Sequence, residues 1–308
     1  LSNERTTNFN LIIPVGTHIV TLIEARALSS AITIPRGAVG EIILSPQDNS
    51  HSYLVRFADD NKTSLRRKEF AIKKHFHDLD KTSALDDMNL DEFVIYRCIV
   101  GSRAYGLDNE SSDVDRRGIY LPPAEMQWSL YGVPEQLEHK DSEECYWEMK
   151  KFLTLALKAN PNVLECLYTP LIEHATPLAN ELLEMRVAFL SKLVYQTYNG
   201  YVMSQFKKLE QDLRAHDTIK WKHAMHLIRL LLQGINILHE GFLPVRVDEH
   251  KEKLLAIRRG ETDWQDINEW RLSLHKDFDA AFAKSTLPER PDYESVNAFL
   301  IKARREMI

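Results

Sequence analysis

The chain is predicted to fold as an α+β protein with a small N-terminal β-barrel, an α/β core and a C-terminal helical bundle. Three observations predict this. Residues 9–76 carry short alternating or apolar runs separated by Gly, Pro and Asp-Asp-Asn turns. Two longer apolar runs, 93–100 and 113–121, stand on either side of a Gly-Ser turn. From Thr176 onward the apolar residues recur at helical spacing, with capping signals between the periodic stretches.

Each part follows from its residues. Ile12-Ile13, His18 to Ile23, Gly40 to Leu44 and Ser52 to Phe57 read as short strands. That many strands in so short a stretch suggest an SH3-like barrel over residues 1–77, an accessory module whose ligand includes a protein partner as one candidate. Residues 78–91, rich in Asp with Ser and Thr, read as a linker. The core occupies 92–175. Its two strands are followed by Pro122-Pro123, a third strand lies within 137–146, and a helix runs from about Trp147 to Ala159. Met149, Phe152, Leu153, Ala156 and Leu157 share one face of that helix, and Asn160-Pro161 ends it. The helical part, 176–308, opens on a cap and first-turn proline, Thr176-Pro177. An amphipathic run over 218–239 ends at Gly241, Thr262 and Gln265 form a capping-box pattern before a helix at Trp264–Lys284, and Pro288 and Pro291 mark a loop before the last helix.

Composition narrows the class. A length of 308 residues suffices for two domains or three small ones. A net charge of −6 excludes a protein that coats nucleic acid by bulk electrostatics, while leaving local basic clusters such as Arg66-Arg67-Lys68 and Lys207-Lys208. No run reaches the length of a membrane span, and the opening residues lack a signal-peptide pattern. Cys98, Cys145 and Cys166 lack metal-ligand spacing and read as reduced, buried thiols. The expected location is the cytoplasm, without membrane association.

The chemistry concentrates between Phe93 and Tyr120. The apolar run Phe93 to Val100 leads into Gly101-Ser102-Arg103-Ala104-Tyr105-Gly106, and Ser112-Asp113-Val114-Asp115-Arg116-Arg117 follows. Side chains alternate along a strand, so Asp113 and Asp115 are expected on one face with Val114 on the other. Two carboxylates on one face make a hard, all-oxygen site suited to magnesium. A Gly-Ser turn beside them offers backbone N–H groups and a hydroxyl to phosphate oxygens. Metal and phosphate sites together point to phosphoryl or nucleotidyl transfer.

These motifs resemble the DNA polymerase β-type nucleotidyltransferase superfamily, in particular its branch of predicted nucleotidyltransferases associated with RNA ligase and RNA repair. Lys150-Lys151-Phe152-Leu153, Asn160 to Glu165, and Lys222 to Leu231 with Gly234 fit the same branch, so the resemblance covers roughly residues 90–270. It implies a polymerase-β-type catalytic core that uses Mg2+, or Mn2+ in its place, with Asp113 and Asp115 as catalytic metal ligands. Gly101 and Ser102 would hold the terminal phosphates. The third carboxylate is placed nine residues ahead of Phe152, at Glu143, with Asp141 and Glu144 near enough to compete. Arg103 follows the Gly-Ser pair as a phosphate-binding fork, and Arg116 and Arg117 point to opposite faces. Lys222, His226 and Arg229 fall along one helical face as a basic stripe for triphosphate or RNA phosphate. Tyr105 is a candidate for base stacking, with a buried structural ring as the alternative.

The resulting expectation is an ATP- or other NTP-dependent nucleotidyltransferase that moves a nucleoside monophosphate to a hydroxyl, with an RNA end as the favoured acceptor. Nucleotidylation of a protein in a toxin–antitoxin or defence pair, and a non-catalytic nucleotide-binding adaptor, stand as alternatives.

Overall fold

A computed structural model describes residues 12–28, 31–48, 50–73, 88–110, 112–139, 141–216 and 219–308. Most of the linker expected at 78–91 lies outside the described residues. The chain divides into two compact units, Leu1–Asn89 and Leu90–Ile308.

The first unit contains β1 (His18–Thr21), β2 (Ala25–Arg26), β3 (Thr33–Ile34), β4 (Val39–Leu44), β5 (Tyr53–Arg56), β6 (Lys62–Leu65) and β7 (Phe70–Ile72). Five of these form an antiparallel sheet in the order β6-β5-β4-β1-β7, and β2 pairs with β3. Ile19, Ile42, Tyr53, Val55 and Leu65 are buried on one face, where the alternating pattern put them. The barrel expected here is not closed. Closure needs the edge strands β6 and β7 to pair, and among the described residues they do not.

The second unit is a sheet covered by helices. Its strands are β8 (Val94–Ile99), β9 (Arg116–Tyr120), β10 (Gln136–His139), β11 (Glu144–Glu148) and β12 (Ile172–Ala175), in the order β10-β11-β9-β8-β12. Strand β9 runs antiparallel to β8 and parallel to β11, while β10 and β12 form antiparallel edges. The single third strand expected within 137–146 is instead a hairpin of β10 and β11. A Cβ on Gly118 would sit 1.9 Å from the Tyr96 carbonyl oxygen, so glycine is what lets β9 lie against β8 there.

The helices of this unit are α1 (Gly101–Tyr105), α2 (Ala124–Trp128), α3 (Met149–Leu157), α4 (Pro161–Tyr168), α5 (Pro177–Glu184), α6 (Leu193–His216), α7 (Trp221–Glu240), α8 (Lys251–Arg259), α9 (Trp264–Lys284) and α10 (Tyr293–Arg305). Their ends follow local chemistry. Helix α3 ends at Leu157, ahead of the expected Asn160, with Ala159 beyond it at a left-handed φ of +54°; Asn160 begins α4, its side chain accepting from the N–H groups of Asn162 and Val163. Thr176 caps α5 ahead of Pro177, and Gly241 closes α7 in the left-handed conformation. The capping box expected at Thr262 and Gln265 does not form, because Asp263 is the cap residue and Gln265 donates to Glu269. One core joins sheet and helices, running from Tyr96 and Ile119 through Phe152 and Leu164 to Leu227 and Phe278. Among the described residues no helix is long and apolar enough to cross a membrane.

Candidate active site

The site forms where the first strand pair of the second unit opens. Ile99 of β8 pairs with Arg116 of β9, and one further hydrogen bond, Val100 N–H to the Asp115 carbonyl (3.0 Å), carries the pairing past the strand end. The chain then turns at Gly101, with φ of +72°, into the short helix α1. Only glycine fits: a Cβ would lie 2.4 Å from Oδ2 of Asp115. The turn thus brings the Asp115 carboxylate against the start of α1.

The aspartates are not within a strand, as the sequence pattern suggested. Strand β9 begins at Arg116, and residues 112–115 form an extended lead-in. Arg103 shapes this segment by donating to the carbonyls of Ser112 (2.9 Å) and Asp113 (3.3 Å). Its fork therefore braces the loop that carries the aspartates. Asp113 is exposed, and its carboxylate has no partner among the described residues. Asp115 faces Arg117, whose guanidinium lies 3.6 Å from Oδ1. Arg116 points away and forks onto Glu173 at 2.8 and 3.1 Å, a pairing that raises its pKa.

A pocket of about 490 Å³ opens over this turn. It is lined by Gly101, Ser102, Tyr105, Asp113, Asp115, Lys222 and His226, all singled out from the sequence. Arg103, Glu143 and Arg229 are not among the described residues that line it. The pocket also takes in Asn109, Ser112, Lys220, His223, Met225 and Arg258. Lys220 precedes α7 and lies two residues outside the motif that begins at Lys222. Arg258 belongs to α8, and its Nη1 donates to the Leu107 carbonyl (2.6 Å), drawing a cation from a distant part of the chain to the pocket rim. The Arg258-Arg259 pair was the only signal for it.

Charge in the pocket is divided. Asp113 and Asp115 line it from the lead-in to β9, and Lys220, Lys222 and Arg258 line it from the start of α7 and from α8. The histidines do not add to these cations. Burial, with Arg229, His223 and Lys222 nearby, holds His226 well below the ordinary histidine range, and burial with Lys220 and Lys208 lowers His223. Nε2 of His223 lies 3.1 Å from Oε1 of Gln205.

The basic stripe expected on α7 therefore resolves into three different groups. Lys222 is an exposed cation, His226 is neutral, and Arg229 is fully buried behind the pocket wall. Arg229 donates to Glu165 at 2.5 Å and lies 3.6 Å over the Tyr105 ring. Burial works against its charge, and Glu165 more than offsets this, so its pKa is raised. Tyr105 is held by Glu165 (2.7 Å), and burial keeps its hydroxyl protonated. Its ring packs against Arg229 and also takes part in the pocket lining.

Glu143 sits beside the aspartates in register. Glu144 of β11 pairs with Arg116 of β9, which sets Glu143 next to Asp115 at the strand entrance. Its φ is +55°, and its carbonyl accepts from Arg117 Nη1 (2.7 Å) and Arg116 N–H (3.3 Å). The side chain is exposed. Among the described residues, no three of His, Cys, Asp and Glu gather closely enough to hold a metal ion.

The donor set nevertheless fits a magnesium or manganese ion. Mg2+ binds through one or two carboxylates and completes its shell with waters and substrate phosphates. Asp113 and Asp115 supply two carboxylates, with the Asp115 group admitted by the absent side chain of Gly101. The Ser102 hydroxyl, which has no hydrogen-bond partner among the described residues, stands on the same wall.

Comparison with known proteins places the chain. The uncharacterized protein YcgL of Bacillus subtilis (strain 168) is 28% identical over 156 residues, which are 49% of this chain and 58% of that protein. The match thus spans little more than half of the relative's length. A model of the RNA repair pathway DNA polymerase beta family, RlaP, matches residues 71–302, a span that contains the aspartates, the Gly-Ser turn and α7, and the chain belongs to this family.

Proposed function

We propose that the chain is a magnesium-dependent nucleotidyltransferase that moves a nucleoside monophosphate from an NTP to the hydroxyl of an RNA end. The observation that carries this reading is that one pocket gathers both signs of charge, Asp113 and Asp115 together with Lys220, Lys222 and Arg258, over the Gly101-Ser102 turn. A metal-bound triphosphate presents the complementary arrangement, cationic at the metal and anionic at the phosphates. The family's association with RNA repair supports RNA as the acceptor.

In the proposed reaction an acceptor oxygen bonds to the α-phosphorus, the bond from that phosphorus to the bridging oxygen of the β-phosphate breaks, and pyrophosphate leaves with the electron pair. The acceptor proton passes to a carboxylate or to solvent. A bound magnesium ion would supply charge neutralisation on the phosphates and ease ionisation of the hydroxyl, and Asp113 and Asp115 would hold it. Ser102 and the backbone after Gly101 orient the terminal phosphates, and Lys222, Lys220 and Arg258 balance their charge. Glu143 is the proposed third acid, on the ground that the strand register sets it beside Asp115.

The test is incubation of the purified chain with each labelled NTP, magnesium or manganese, and pooled RNA and protein. Label on RNA that disappears in the Asp113→Ala/Asp115→Ala variant is the expected result. Label on protein alone would move the acceptor to a polypeptide. NTP binding without transfer to either would leave a nucleotide-binding adaptor, the reading favoured by the lack of a gathered third carboxylate.

A further inference from the structure

From the pocket lining inward, polar groups form a relay across three helices, with Tyr105 and His226 in the lining and Glu165 and Arg229 buried. The Tyr105 hydroxyl of α1 donates to Oε2 of Glu165 in α4 at 2.7 Å, and Oε1 of Glu165 accepts from Nη1 of Arg229 in α7 at 2.5 Å. The other arm of the guanidinium, Nη2, lies 2.9 Å from Nδ1 of His226, one turn back on α7. The Arg229 and Glu165 side chains are 0% and 2% exposed, so both are fixed by the core.

The hydrogen-bond sense at the end of this relay is determined. A guanidinium has donors and no acceptor, so Nδ1 of His226 must accept. A neutral imidazole whose Nδ1 accepts carries its proton on Nε2. The Arg229 charge, 2.9 Å away, opposes a second proton on the ring. His226 lines the pocket together with Ser102 and Lys222.

From this geometry we infer that Glu165 and Arg229 are positioning residues that hold His226 in its Nε2–H form, as a hydrogen-bond donor to a phosphate oxygen of the nucleotide. The inference rests on the nucleotide-binding reading of the pocket. It also removes one candidate from the proton transfer. With Nδ1 engaged and Nε2 protonated, His226 has no open lone pair to take the acceptor proton, and that role falls to the carboxylates. The relay starts at Tyr105, three residues past Ser102 on α1, and so ties the donor on α7 to the turn that meets the phosphates.

Two measurements on the full chain test this. In long-range 15N–1H spectra of the uniformly labelled protein, with His226 assigned by its loss in His226→Gln, the expected signature is a pyridine-type Nδ1 and a pyrrole-type Nε2 at neutral pH. An Nδ1–H tautomer, or averaging between tautomers, would overturn the relay whatever the nucleotide does. The second measurement is NTP affinity in magnesium. His226→Gln places an amide N–H near the Nε2 position and is expected to stay within a few-fold of the parent, whereas His226→Asn does not reach it and is expected to lose about tenfold or more. Arg229→Lys keeps the charge but not the fork, and is expected to scramble the tautomer and weaken NTP binding to the level of His226→Asn. Should Arg229→Lys not fold, the tautomer of the parent and the Gln–Asn contrast at His226 still decide. Equal affinity in the Gln, Asn and parent proteins would overturn the donor role. Failure of the parent to bind any NTP, with the expected tautomer present, would instead sink the nucleotide reading and the phosphate contact together, leaving the relay standing.

Discussion

The backbone at Gly101 and the carboxylate of Asp115 occupy adjoining space: a Cβ on the glycine would lie 2.4 Å from Oδ2 of the aspartate. The Gly-Ser turn and the second aspartate, distant in the motif, are therefore one structural unit. The hydrogen bond from Val100 N–H to the Asp115 carbonyl fixes the backbones, and the missing side chain admits the carboxylate.

Gly101→Ala tests that unit. Alanine at φ of +72° carries a backbone penalty of about 1–2 kcal/mol, and its methyl must push the Asp115 carboxylate aside. Denaturant unfolding should show a loss of about that size. Turnover should fall by at least ~100-fold, far more than the stability change accounts for, because a displaced metal ligand is felt in the transition state. Activity near the parent level would mean that Asp115 does not act from the position seen here.

Lys222 gives a contrasting case. It is exposed at the pocket and pairs with no acid among the described residues, so Lys222→Met should change stability by no more than about 0.5 kcal/mol. It should raise KM for the NTP by about three- to tenfold with a smaller effect on kcat. The effect should shrink between roughly 50 and 500 mM salt as exposed charges are screened. A salt-independent change would place Lys222 in a structural role.

The parts of the site visible in the sequence are those built by neighbours. The Gly-Ser turn, the aspartates and the strands that carry them lie within one short stretch, and the caps at Thr176 and Gly241 depend on a few adjacent residues. What was not visible depends on distant partners. Arg229 pairs with Glu165 across 64 positions, and no local pattern separates a guanidinium bound to a core carboxylate from one facing phosphate. Arg258 reaches the pocket through the Leu107 carbonyl, 151 positions away. The strand start was misjudged for a related reason. Arg103 holds Ser112 and Asp113 by their carbonyls, so an extended pattern there serves a braced loop and not a ladder. Closure of the N-terminal sheet depends on two edge strands pairing, which alternation along either strand does not specify.

Glu143 is tested by its amide. Its register beside Asp115 and its exposure predict that Glu143→Gln lowers turnover by about 100-fold or more while leaving NTP affinity within a few-fold, the behaviour of a group that acts in the transition state. Stability should be nearly unchanged, since the Glu143 interactions that hold Arg116 and Arg117 use its backbone carbonyl. Full turnover in Glu143→Gln, with loss in Glu144→Gln or Asp141→Asn, would move the third acid to one of those neighbours.

The two pocket histidines set a pH dependence of folding. Burial, then nearby cations, lowers both His226 and His223 in the native state. In the unfolded chain each titrates near pH ~6.5. Above that pH neither state is protonated and the native state keeps its full stability. As pH falls below about 6.5 the unfolded chain takes up protons that the native state refuses, and stability declines by up to about 1.4 kcal/mol per pH unit for His226, with a smaller, solvent-screened share from the more exposed His223. His226→Gln should flatten this slope in unfolding experiments between about pH 7 and 5. An unchanged slope would show that the native state protonates His226 freely.

The Glu165–Arg229 pair makes the sharpest energetic prediction, because both side chains are buried in the core. Arg229→Met leaves the Glu165 carboxylate without its cation in a place water does not reach, and should destabilise the protein by about 3–5 kcal/mol. Glu165→Gln alone should cost less, since an amide still accepts from Arg229 but leaves the guanidinium charge unbalanced over the Tyr105 ring. In the double variant neither charge remains, so the two losses should fall well short of adding, with a coupling of about 1–3 kcal/mol recovered. Additive losses would mean that water or another acid already compensates each charge separately. Nucleotide affinity separates this stability role from the relay. Restoring stability in the double variant does not restore the donor to Nδ1 of His226, so its NTP binding should remain weak even where its unfolding midpoint recovers. Recovery of both together would reduce Arg229 to a packing residue.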